Sequence, residues 1–150
     1  MRLSTLLKPE MIKLDLIASD KEMVLKEMVG VLYQEGKIKS EDAFYDRVLA
    51  REAETTTGMG RGIAIPHGKS DQVKELSLAV GICKDGIDFE SIDGQPVYII
   101  FMVADFAGTS PEYLKLLSKI SFLVRNDDFR ETLLTAETCQ NALDVIKRYE

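Results

Sequence analysis

One histidine, two cysteines and a shortage of positive charge set the first limits on this chain. Cys83 and Cys139 lie far apart, without metal-ligand spacing or the density of a disulfide scaffold, so both read as buried free thiols. Lys and Arg number 19 against 25 Asp and Glu, and the resulting net charge of -6 excludes the dense basic face that broad nucleic-acid or anionic-membrane binding needs. The longest apolar run, Val97 to Ala104, is far too short to span a bilayer, and the opening MRLSTLLKPE lacks the apolar stretch of a targeting signal. A cytoplasmic protein without direct membrane insertion is expected. No repeat, low-complexity segment or linker interrupts the 150 residues, which are 45% hydrophobic and fit one domain over 1–150.

Two familiar chemistries are also missing. Gly58-x-Gly60-x-Gly62 lacks the spacing and preceding strand of a dinucleotide fingerprint, and no Walker glycine-lysine pattern occurs. One histidine without a cluster of Asp, Glu or Cys leaves the coordination shell of a catalytic metal unfilled. These residues therefore support neither a nucleotide site nor a catalytic metal.

What is present alternates between two periods. Ser19-x-x-Glu22 forms a capping box, predicting a helix to about Glu35 with Met23, Leu25, Met28, Val31 and Leu32 on its apolar side. Ser40 opens a second helix with Phe44, Val48 and Leu49 as core contacts and Arg51 near its end. The glycine spacing of TTTGMGRG, 55–62, predicts a loop rather than a strand. LSLAVGI (76–82) and VYIIFMVA (97–104) are strand candidates, with Asp85-Gly86 and Asp93-Gly94 as turn signals around Ile87-Asp88-Phe89. Ser110-Pro111-Glu112 starts a helix carrying Leu114, Leu117, Ile120 and Leu123 or Val124, and helical segments follow at about 128–134 and 138–149. The fold class is α/β: a three-layer sandwich, a mixed β-sheet flanked by helices.

The single histidine lies in IAIPHGKS, 63–70. Pro66 restricts Ile65 and offers no backbone donor, which places His67 just past a strand end. A solitary histidine is often a satisfied polar side chain of the core. Here the neighbours are small and polar, which favours a reachable ring, and a neutral imidazole is a nucleophile near neutral pH. A phosphoryl group on such a ring needs cations and donors around its oxygens. Arg51, Arg61 and Lys69 supply charge, and the glycine-loop amides and nearby hydroxyls supply donors.

The run LAREAETTTGMGRGIAIPHGKS, the helix SDKEMVLKEMVGVLYQEGKI before it and FESIDGQPVYIIFMVA after it resemble the fructose- and mannitol-type enzyme IIA domain of the bacterial phosphoenolpyruvate-dependent sugar phosphotransferase system. The ordered set Arg-Glu, Thr-Gly, Ala-x-Pro-His-Gly and Asp-Gly-Gln-Pro-Val is far more specific than any of its parts. The resemblance covers essentially the whole chain. It implies a phosphotransferase that uses no cofactor: the phosphocarrier HPr charges a nitrogen of His67, and His67 passes the phosphoryl group to a cysteine of an enzyme IIB, itself associated with a membrane enzyme IIC. Sugar specificity resides in that membrane component.

By the same resemblance Arg51, sixteen residues before His67, neutralises and orients the phosphoryl group. The alternative for Arg51 is a surface ion pair with Glu54. Where the family carries a second histidine, in a His-Leu-x-x-Leu stretch, this chain has Tyr113 followed by Leu114-Lys115-Leu116-Leu117. A tyrosine hydroxyl donates one hydrogen bond but carries no positive charge. Met59, Phe106 and the Ala107-Gly108-Thr109 loop are the candidate partner-docking patch. An alternative within the same family is a nitrogen-type regulator whose phosphorylation state is read by a non-transport partner, and a second is a silent module that has lost transfer.

Overall fold

A computed structural model describes residues 1–108 and 110–150. The described residues form five α-helices and six strands. Two short 3-10 turns, Leu3–Leu6 and Pro9–Met11, lead into β1 (Ile12–Lys13), which lies parallel to the far longer β5 (Ser77–Ile87). These first elements carry no period long enough to be predicted.

Helix α1 spans Lys21–Gln34. Its cap is Asp20, which accepts from the Met23 N–H, rather than the predicted Ser19. Both residue types cap, but a carboxylate also complements the helix N-terminal dipole. The buried face is Val24, Leu25, Met28, Val29 and Leu32, so Met23 turns to solvent. Helix α2 (Glu41–Glu54) is capped by Ser40 as its sequence predicts, and Phe44 and Val48 are wholly buried.

The segment 55–62 is not a plain loop. Residues Gly58–Gly60 form β2, paired antiparallel with β3 (Ile63–Ala64) around a turn in which Arg61 has φ 59°. Distant partners hold this hairpin: the Ile92 N–H donates to the Gly58 carbonyl and the Arg61 N–H to the Asp93 carboxylate. Local composition carries no trace of such long-range pairing.

The predicted turn at Asp85-Gly86 lies inside β5, where the register to β6 (Val97–Asp105) shifts between Ile82 and Ile87. Gly86, at φ +76°, absorbs the turn signal as a bulge and the strand continues. The second turn, at Asp93-Gly94, forms as expected, with the Gly94 N–H on the Ser91 carbonyl. In the sheet the strands run β1-β5-β6-β3-β2, and β4 (His67–Lys69) also pairs with β6. β5 meets β6 antiparallel, whereas β3 and β4 both lie parallel to it. Strand β6 is buried at nearly every position, as its continuous apolar run requires.

Helix α3 (Pro111–Leu123) begins at the Ser110 cap but buries Tyr113, Leu116, Ile120 and Leu123, leaving Leu114 61% exposed. Two adjacent apolar rows were available in this sequence, and packing selects the row containing Tyr113. Helices α4 (Asp127–Leu134) and α5 (Cys139–Tyr149) pack on each other. The result is the three-layer sandwich, with a mixed sheet between helices. Cys83 is buried and Cys139 half-buried, both as free thiols. Among the described residues no helix is long and apolar enough to cross a membrane.

Candidate functional site

His67 lies just past the end of β3, as expected, and also opens a strand of its own. The Ile65-Pro66 break separates β3 from β4 without losing register: Ala64 faces Ile100, and His67 faces Val103. Proline has no N–H for the ladder, and the Val103 N–H donates to its carbonyl. The preceding carbonyl, of Ile65, lies 2.8 Å from His67 Nδ1. A carbonyl only accepts, so Nδ1 carries the proton and Nε2 carries the lone pair.

That lone pair faces Arg51. Its Nε–H donates to His67 Nε2 at 3.2 Å, and one terminal N–H donates to the Thr55 carbonyl at 2.9 Å, next to the end of α2. The ion pair with Glu54 considered above does not form. Glycine at 68 makes the α2–β4 approach close: a Cβ there would sit 3.3 Å from the Phe44 ring and 3.4 Å from Val48. Glu52, beside Arg51, is buried and anchors the turn after α2, accepting from the Thr57 backbone and pairing with Lys21 at 3.0 Å.

Tyr113 closes the opposite wall, with its ring edge-on to the imidazole at a centroid separation of 6.0 Å. The Lys69 ammonium lies 4.3 Å from the centre of the same ring and donates to the Gly108 carbonyl at 2.7 Å. Together with Arg47 and Glu54, these side chains surround an open depression of about 360 Å³. A larger hollow of about 740 Å³ lies elsewhere, beside β1 and Cys139, remote from the imidazole.

Burial pushes the His67 pKa below its ordinary 6.5, and the Arg51 charge adds to the shift against the opposing Ile65 carbonyl, Glu52 and Glu54. The ring is thus neutral at pH 7. Burial likewise raises the Tyr113 hydroxyl to about 12, so it remains a hydrogen-bond donor. A neutral imidazole with an unprotonated Nε2, flanked by a guanidinium, an ammonium and a phenol, is suited to accepting a dianionic electrophile.

The structure brings His67, Arg51, Lys69 and Tyr113 together, but not every sequence candidate. Arg61 is exposed on the β2–β3 turn and does not line the depression. The hydroxyls of Thr56 and Thr57 bond to the Phe89 carbonyl and to Glu52 instead. Arg47, which lines the depression, was not singled out in the sequence. Arg47 lies one helical turn before Arg51, a spacing that could have marked it. Met59 and Phe106 are 40% and 47% exposed, while Thr109 lies outside the described residues.

A sequence model of the family described as "Phosphoenolpyruvate-dependent sugar phosphotransferase system, EIIA 2" matches residues 5–149. The PTS system fructose-specific EIIABC component of Bacillus subtilis is 39% identical over 150 residues, all of this chain but only 24% of that protein. The PTS system fructose-specific EIIA component of Haloferax volcanii is 35% identical over 144 residues, 96% of this chain and 94% of that one. Among solved structures, the nitrogen regulatory protein IIA-Ntr of Neisseria meningitidis superposes with a TM-score of 0.88 at 28% identity, covering 95% of this chain and 97% of that one.

Proposed function

This chain belongs to the EIIA 2 family of the phosphoenolpyruvate-dependent sugar phosphotransferase system, and from that premise we propose that it is a single phosphocarrier domain in which His67 is the phosphorylated residue. The observation that carries the reading is the imidazole itself, held as one tautomer by the Ile65 carbonyl with Nε2 turned to Arg51. The donor is HPr and the acceptor a cysteine of an enzyme IIB. As the donor's N–P bond breaks, its electron pair returns to the donor ring and the Nε2–P bond forms. The proton stays on Nδ1, donated to the Ile65 carbonyl throughout, so His67 needs no separate base. Arg51 moves its N–H from Nε2 to the phosphoryl oxygens, where a guanidinium forms two parallel bonds. Phosphoryl transfer requires positioning and charge neutralisation more than bond-making help, which a shallow depression with cationic walls supplies.

Two relatives named fructose-specific favour a place in fructose uptake. The likeness to a nitrogen regulatory protein supports a second reading, in which the phosphorylation state is read by a non-transport partner. Intact-mass measurement after incubation with phosphoenolpyruvate, enzyme I and HPr tests the common step. Gain of one acid-labile phosphoryl group by the wild type, absent from His67→Ala, is expected. No gain while HPr itself is charged refutes the proposal. Onward transfer to an enzyme IIB then separates the uptake reading from the regulatory one.

A further inference from the structure

Strand β4 alternates its side chains across the sheet. A Cβ at Gly68 would meet Phe44 and Val48 of α2, so His67 and Lys69, one residue to either side, point to the opposite face, where Tyr113 contacts both. Lys69 is in parallel register with Asp105 at the end of β6, and register partners share a face. Asp105 is 0% exposed, and neither of its carboxylate oxygens has a hydrogen-bond partner among the described residues. Such a group is costly to bury unless a cation lies close. Its register partner is Lys69, a cation on the same face of the sheet but beyond ion-pair distance.

The Lys69 ammonium meets no carboxylate within ion-pair distance among the described residues. One of its three N–H groups is used by the Gly108 carbonyl, and its charge rests on the Tyr113 ring. Two N–H groups therefore remain for a ligand, in the depression that also holds His67. The other charged side chains of that depression, Arg47, Arg51 and Glu54, all come from α2, so Lys69 is its cation on the strand side.

We infer that Lys69 is a second phosphoryl-binding cation of this site and that the buried carboxylate of Asp105 is the residue that positions it. The inference rests on the phosphocarrier reading of His67. The Asp105 charge draws the ammonium inward against Tyr113 instead of leaving it to solvent, so that two cations on opposite walls, Arg51 and Lys69, grip the transferred oxygens. Lys69 exchanges no proton in the step.

The full chain is charged from phosphoenolpyruvate through enzyme I and HPr, and the initial rate of phosphoryl gain is compared with that of Lys69→Met, Lys69→Arg, Asp105→Asn and the Lys69→Met/Asp105→Asn pair, with thermal midpoints measured alongside. Loss of one charge-assisted contact slows Lys69→Met by about tenfold or more, and Lys69→Arg recovers most of the rate. Asp105→Asn slows the chain that keeps Lys69 but adds nothing in the Lys69→Met background. The double variant removes both charges together, so a folding loss caused by an orphaned carboxylate does not obscure the rate. A wild-type rate in Lys69→Met or in the double variant overturns the role of Lys69. Equal slowing by Asp105→Asn in both backgrounds overturns the positioning role of Asp105. A wild-type chain that gains no phosphoryl group overturns the phosphocarrier reading, and this inference with it.

Discussion

At His67 the two ring nitrogens have different duties, and the difference sets the pH behaviour. Nδ1 is committed to the Ile65 carbonyl and Nε2 faces Arg51, while burial and the guanidinium both disfavour a second proton. Because this is the only histidine in the chain, its titration followed by NMR is unambiguous and should show a midpoint below 6.5. The same shift is linked to stability. Below pH 6.5 the unfolded chain binds a proton that the native ring resists, so stability falls with pH through that window, and His67→Gln removes this part of the slope. Arg51→Gln should slow phosphorylation by about 10- to 100-fold, the worth of one or two charge-assisted hydrogen bonds, and Arg51→Lys should not restore it because an ammonium lacks the planar fork. Tyr113→Phe keeps the ring that His67 and Lys69 touch and removes only the hydroxyl; a loss of about tenfold, flat in pH up to 10, is expected from a donor raised to about 12. Much of this site was legible beforehand: His67 by its uniqueness, Arg51 and Tyr113 by resemblance. Asp105 was not, because a carboxylate at the end of an apolar strand looks like an ordinary polar stop until burial is known.

At the scale of elements, the geometry depends on how closely α2 approaches β4. Arg51 reaches the imidazole because position 68 has no side chain to hold the helix away. Gly68→Val should overpack against Phe44 and Val48, lowering stability by about 1–3 kcal/mol in urea unfolding. The same change should lengthen the Arg51–His67 contact, so phosphorylation slows in a chain that still folds. Helices with an N-cap and a regular apolar period were readable, as α2, α4 and α5 attest. Where two signals lay side by side the sequence did not choose. Ser19 and Asp20 both cap, and the rows containing Leu114 and Tyr113 are both apolar, so tertiary packing decided. Strands β1, β2 and β4, none longer than three residues, exist only because β5, β6 and β3 supply their partners, and no local periodicity announces them.

For the whole molecule, the proposed function raises the question of how a depression this shallow would select a protein donor. Its walls neutralise charge, but they offer little apolar area to hold a partner in place. Exposed apolar side chains occur on two segments of the same sheet: Met59 on the hairpin strand paired with β3, and Phe106 directly after Asp105, the register partner of Lys69. A protein donor would bury these side chains, whereas a small phosphoryl donor such as phosphoramidate would not touch them. The two donors therefore separate docking from chemistry. Met59→Asp and Phe106→Asp should each reduce kcat/KM with phospho-HPr by about tenfold, a cost in the range of one truncated interface anchor, and leave the rate with phosphoramidate unchanged. Arg51→Gln should reduce both rates, because its proposed contact is with the transferred group. Equal rates with phospho-HPr for the wild type and both aspartate variants would move the docking surface away from these segments. Loss with both donors would instead mean that the substitutions disturb the strands that hold His67.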